Sequence, residues 1–145
     1  MNRQRPSLMR IVLVDYMAFL AAIIPVLAVV ASLIVGFSEI RYFWILLTSG
    51  FVFAAIAIGV LIWRINLFYA VFERGNEAAG VIKSVVFFKD RGRIDYIYNY
   101  SGQEFTGGNA VMKSKWTESL IEGQSVKVIV DSKDPKRTFI RELYM

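Results

Sequence analysis

Cysteine and histidine are both missing from the 145 residues. Their absence excludes disulfides, thiolate nucleophiles, Cys/His zinc sites and imidazole acid–base chemistry. Carboxylates, lysine and tyrosine are what remain for general acid or base work. Charge is scarce in the first half. Residues 1–72 carry seven charged side chains (Arg3, Arg5, Arg10, Asp15, Glu39, Arg41 and Arg64) of the 29 in the chain. The other 22 fall in residues 73–145, which read as an ordinary water-soluble sequence. The boundary at Phe72/Glu73 therefore separates two solvents, lipid before it and water after it. Five Arg less two acids give the first part +3, and twelve basic less ten acidic residues give the second +2. A charge of +2 confers no electrostatic appetite for nucleic acid, so no nucleic-acid partner is expected.

What the first half has instead is long apolar runs. Tyr16–Phe37 and Tyr42–Trp63 are each 22 residues without a charge. As helix each spans about 33 Å, against a hydrocarbon core of roughly 30 Å. Each contains twelve Leu, Ile, Val or Phe, which favours insertion by roughly 4–7 kcal/mol before the cost of Pro25. Neither shows the polar stripe of a soluble amphipathic helix. Four residues, Ser38 to Arg41, separate them, so the reading is a transmembrane hairpin of antiparallel neighbours with a second-helix extension to Phe72. Pro25 predicts a kink. Aromatic belts are expected at Tyr42, Phe43 and Trp44 on the turn side and at Tyr16, Trp63 and Tyr69 on the other.

Arg3, Arg5 and Arg10 precede the first span. The positive-inside rule then places both termini in the cytoplasm, with 1–15 as a cytoplasmic segment and a bacterial inner membrane as the expected location. A cleaved leader ending at Val29-Val30-Ala31 is the competing reading, opposed by an apolar stretch that continues past that site. Small residues recur at close-approach spacing: Ala18/Ala22 and Ala28/Ser32 in the first helix, Gly50/Ala54 and Ala55/Gly59 in the second. They are either packing faces or the ordinary Ala and Gly of membrane helices. Asp15 and Arg64 lie equally far from the centre of the turn, hence at equal depth at the cytoplasmic edge. They are expected to pair across the helices, the alternative being separate snorkelling into headgroups.

Residues 73–145 carry the texture of a small β-domain. Gly80–Lys89 is β-branched and aromatic; Asp90-Arg91-Gly92 reads as a turn. Ile94, Tyr96, Tyr98 and Tyr100 alternate with Arg93, Asp95 and Asn99 as in a half-buried strand, and Ile97 breaks the rule. Ser101-Gly102 is a two-residue hairpin turn leading to Gln103–Thr106, which Gly107-Gly108 is expected to end. Ser114–Ile121 suggests one helical turn closed by Gly123. Val126, Val128 and Val130 give a further strand, and Thr138–Leu143 a last one after the Ser132–Pro135 turn. Five short strands suggest a partly open barrel, SH3-like or OB-like. So small a domain has a marginal core, and docking to the membrane or another subunit is expected to support it.

The run Gly80-Val81, Tyr96/Tyr98, Gly102 with Phe105 and Gly107, Gly123 with Val126 and Val128, then Asp131 and Asp134-Pro135 resembles an uncharacterised bacterial family of small membrane proteins. That domain-of-unknown-function family joins transmembrane helices to a compact β-domain. The resemblance covers roughly residues 79–140, departs from the pattern where extra residues separate Asp131 from Pro135, and implies no activity.

Signs of chemistry are few. Asp131 and Asp134 flank a turn and read as turn formers before a cation site. Gly107-Gly108-Asn109 lacks the Lys-Ser/Thr of a phosphate loop, and no serine sits in a nucleophile elbow. Tyr96, Tyr98 and Tyr100 near basic residues imitate a stacking platform, but one shared face is more simply the buried one. Lys89, Arg91 and Arg93 are candidates for contact with anionic headgroups. The expectation is a non-enzymatic membrane protein without cofactor, an accessory, assembly or scaffolding subunit in a complex or homo-oligomer. A membrane-tethered binding or sensing module is the alternative, and an enzyme using carboxylates or lysine a distant third.

Overall fold

The computed structural model describes residues 5–38 and 43–145. Arg3 and the expected turn, with Glu39, Arg41 and Tyr42, lie outside the described residues. The described chain is ordered α1 (Leu8–Val14), α2 (Tyr16–Ser38), α3 (Phe43–Arg74), β1 (Asn76–Phe88), β2 (Arg91–Tyr100), β3 (Gln103–Met112), α4 (Lys115–Glu118), β4 (Ser125–Val130), β5 (Thr138–Ile140) and α5 (Arg141–Tyr144).

Both α2 and α3 are long and apolar enough to cross a membrane, with mean hydropathies of 2.8 and 2.6 in their most apolar stretches. Only 11% and 17% of those stretches is buried within the molecule. A core helix of a globule would be largely covered, so these apolar surfaces face outward. The helices run antiparallel: Gly36 abuts the Phe43 ring at one end, Gly50 abuts Ser32 and Ala28 midway, and Asp15 meets Arg64 at the other end. α2 continues as helix through Pro25. α3 has 32 residues, about 48 Å, and leaves the apolar zone without a break.

β1, β2 and β3 form a meander, and β4 returns to pair with β1 on its other side, giving the order β3-β2-β1-β4-β5. Four of these strands are in Greek-key order. β1 is shared: residues 76–81 pair with β4, residues 80–88 with β2, and a register shift falls between Ile82 and Ser84. That bulge bends the strand and lets the sheet curl. The curl brings β3 and β5 together into a nearly closed barrel, whose seam is bridged by one side chain. Asn109 Nδ2 donates to the Thr138 carbonyl (3.0 Å), and the Ile140 N–H donates to Asn109 Oδ1 (3.2 Å).

Three expectations change here. Gly107-Gly108 does not end β3, which runs on to Met112; Gly107 is required inside it, because a Cβ would lie 2.6 Å from the Tyr96 ring. The last strand stops at Ile140, and residues 141–144 turn helical so that Leu143 and Tyr144 fold into the core. Within the segment 1–15, for which no element was expected, Leu8–Val14 forms α1, which buries Ile11 and Val14 completely.

Barrel and helices share one core. Phe68 and Val71 of α3 are fully buried and Phe72 nearly so, in one cluster with Ile82, Tyr96, Val128 and Ile140 of the barrel. Phe68 stacks on Phe139 of β5 (centroids 4.0 Å, 26°) and tilts against Tyr144 (4.7 Å). The small domain takes its support from the chain's own helices.

Candidate functional site

The most heavily built polar region lies where the hairpin enters the barrel. Asp15 sits between α1 and α2 in extended conformation, pairs with Val111 of β3 in an antiparallel bridge, and accepts from the Ala18 N–H (2.9 Å). Its side chain therefore caps α2. The same carboxylate takes both arms of Arg64, Nε to Oδ1 at 3.0 Å and Nη2 to Oδ2 at 2.8 Å. The Asp15 side chain is 3% exposed and that of Arg64 20%. The Arg64 guanidinium also rests over Phe68 and Phe139. Three parts of the chain thus meet at one ion pair.

Beside it lies Tyr144, fully buried, whose hydroxyl has no hydrogen-bond partner among the described residues. Burial and the neighbouring Asp15 carboxylate push its pKa well up, so it stays neutral. Tyr96 is better provided for: its hydroxyl bonds Asn109 Oδ1 (3.1 Å) and Thr138 Oγ1 (2.8 Å). Burial also raises its pKa far above the ordinary value. Tyr98 donates to the Pro135 carbonyl (2.6 Å) and stacks on Phe105. Tyr96 and Tyr98 are thus barrel core, and no face of theirs offers a stacking platform.

A second pair closes the far end of α3. Arg74 grips Asp131 through two bonds of 2.9 Å, and Asp131 also receives the Lys133 N–H. Arg137 approaches Asp131 at 3.6 Å and Asp134 at 3.8 Å. The Arg74 bond, with help from Lys133 and Arg137, holds the Asp131 pKa below the usual carboxylate range. Asp131 before the Ser132–Pro135 turn and Asp134 within it thus both face guanidinium groups, an arrangement that competes with any cation.

Of the small residues, Ala28 and Ser32 meet Gly50 across the helices; Ala54 is buried, Ala18 is buried in the core cluster shared with the barrel, and Ala22 is half-buried. A Cβ at Gly50 would collide with the Ser32 side chain. Ala55 and Gly59 lie outside that contact: Ala55 is exposed and nothing lies within 4 Å of a Cβ at Gly59. The buried row on α3 is Gly50, Ala54, Ala57, spaced by four and three, and Ala55 sits about 100° around the helix from Ala54.

The three basic candidates part company. Arg91 donates to the Tyr16 hydroxyl at 3.1 Å, and Lys89 lies beside it in the β1–β2 turn with φ +55°. Arg93 is held by Asp95 at 2.7 Å. Sequence reasoning missed the Arg74–Asp131 pair, the Asn109 seam and Tyr144. A Glu/Asp–Arg match across 57 residues has no local signal, whereas the buried Asn109 stood among residues read as a strand ending. Comparison with family models, curated proteins and solved structures gave no match.

Proposed function

We propose that this chain is a non-catalytic integral membrane protein, an accessory or scaffolding subunit that holds a small β-barrel at fixed height and orientation on a bilayer. The observation that carries the reading is α3. One unbroken helix begins in sequence suited to hydrocarbon and ends with Phe68, Val71 and Phe72 inside the barrel core. A tether would end in a flexible linker, and only Gly75 stands between α3 and β1. The charged groups of the junction, Asp15, Arg64, Arg74 and Asp131, are engaged in structural bonds, and no nucleophile is set beside a base among the described residues.

Several finer points belong to the same proposal. Arg5, Arg10, Arg64 and Arg74 all belong to the barrel end of the hairpin, which supports a cytoplasmic barrel and cytoplasmic termini under the positive-inside rule, and a bacterial inner membrane is the setting. The Greek-key order with a short helix between β3 and β4 supports an OB-like barrel. The likeness to the family of small membrane proteins fits the same architecture. Partner helices would meet the outward apolar faces of α2 and α3, where Val26 and Leu27 of α2 and Trp44 and Ile62 of α3 are exposed.

Mass determination after extraction in a mild detergent tests the subunit reading. The expected result is a defined assembly larger than one 16.5 kDa chain with its detergent. A monodisperse monomer overturns it.

A further inference from the structure

The tip of the β1–β2 hairpin overhangs the first turn of α2. Arg91 is tied to the Tyr16 hydroxyl, and its guanidinium lies 5.7 Å from that ring's centroid. With Lys89 these residues border a cleft of about 330 Å³ whose apolar wall includes Phe19, Leu20 and Phe88. Leu20 also lines a second groove, about 290 Å³ and lined wholly by apolar surface, between Ile24 of α2 and Phe53 and Ile56 of α3. Leu20 is common to the two hollows, one bordered by cations and the other by apolar side chains alone. From Tyr16 to Ile24 the helix rises about 12 Å, close to the roughly 15 Å depth of one leaflet's hydrocarbon.

We propose that this two-part groove seats a single anionic phospholipid from the leaflet on the barrel side. Its phosphate lies against Lys89 and Arg91, and one acyl chain follows Leu20, Ile24, Phe53 and Ile56. The inference rests on the bilayer-spanning reading above. Charge selects the occupant. Two cations face one carboxylate, Asp90, in the polar cleft, and Arg93 adds nothing because Asp95 holds it. A guanidinium offers several N–H donors, so the bond to Tyr16 leaves others for phosphate oxygens. Asp90 can accept from a hydroxylated headgroup such as glycerol. Polarity runs along the groove in the order it runs across a leaflet, which suits a lipid and not a protein helix. Near the hairpin tip Val86 and Phe88 are 62% and 65% exposed, and Phe88 shares the cleft with Tyr16.

The test uses the full chain in mild detergent, with bound lipid counted by native mass spectrometry and phosphatidylglycerol or phosphatidylcholine as the added probe. One phosphatidylglycerol per chain is expected to survive, held roughly tenfold better than phosphatidylcholine. Lys89→Gln with Arg91→Gln is expected to abolish that preference. Leu20→Trp, which fills the groove, is expected to lower retention of both lipids. Lys133→Gln with Lys136→Gln removes the same charge away from the cleft and is expected to change nothing. Equal retention of the two lipids, an equal loss in the Lys133/Lys136 variant, or a second protein copy in place of the lipid overturns the seat. Failure of the chain to insert into phosphatidylglycerol vesicles would instead defeat the membrane reading itself.

Discussion

Arg64 and Arg74 stand ten residues apart on α3, and each closes on an aspartate with two bonds between 2.8 and 3.0 Å. The pairs differ in their surroundings. Asp15 has one cation, sits where apolar helix gives way to barrel, and also caps α2 and bridges β3. Asp131 has Arg74, the approaching Arg137 and a turn N–H, and its main partner is one-third exposed. The same bond is a sole fastening in the first place and one strand of a web in the second, although both carboxylates are buried. Where a second cation and a turn N–H stay on the carboxylate, losing one partner costs less; where they are absent, the orphaned charge carries the full penalty.

Substitutions turn that contrast into numbers. Asp15→Ala is expected to have the largest effect, roughly 3–5 kcal/mol in thermal or denaturant unfolding of the detergent-solubilised chain, because Arg64 is stranded. The exchange Asp15→Arg with Arg64→Asp sharpens the point: recovery toward wild type identifies the pair as the cause, and no recovery assigns the loss to the helix cap. Asp131→Asn is expected to cost less, about 1.5–3 kcal/mol. It also carries a pH signature. Because the folded pKa of Asp131 lies below its unfolded value of about 3.9, its contribution is complete above that value. It is lost as pH falls through the folded pKa. The variant should lose this part of the acid slope, and an unchanged slope would dissolve the contrast.

Smaller effects probe the packing around the pairs. Gly50→Ala is expected to cost about 1–3 kcal/mol by forcing the helices apart at Ser32. Gly59→Ala should stay within about 0.5 kcal/mol in the isolated chain. Tyr144→Phe removes a hydroxyl that has no partner among the described residues, so unfolding should show a neutral change or a gain of up to about 1 kcal/mol. A clear loss would mean that the hydroxyl is bonded after all.

The two long helices were legible because twenty-odd residues without charge say the same thing at every position. Tyr96 and Tyr98 announced their strand through alternation, and Ser101-Gly102 its turn, both residues taking positive φ. Asp15 and Arg64 could be matched by depth, since a hairpin turns sequence distance into spatial distance. What was illegible depended on surfaces that exist only after folding. Ile11 and Val14 look like any membrane-proximal apolar residues until a barrel made from residues beyond 76 encloses them. Ala78 and Ala79 are poor strand formers, so the start of β1 was read too late, and only pairing with Val128 and Lys127 draws them into the sheet. Gly107 looked like punctuation; its lack of a side chain serves the ring of Tyr96 instead.

On the bilayer-spanning reading proposed above, α3 would make the barrel answerable to bilayer thickness. A helix about 48 Å long in a core of roughly 30 Å has a long arm outside, and hydrophobic mismatch is relieved in part by tilting the whole rod. Since Phe68 and Phe72 are set in the barrel as a key in a lock, a leaflet that thins or thickens swings the barrel like the head of a lever. Its outer face would then be presented at a different angle to whatever lies beyond.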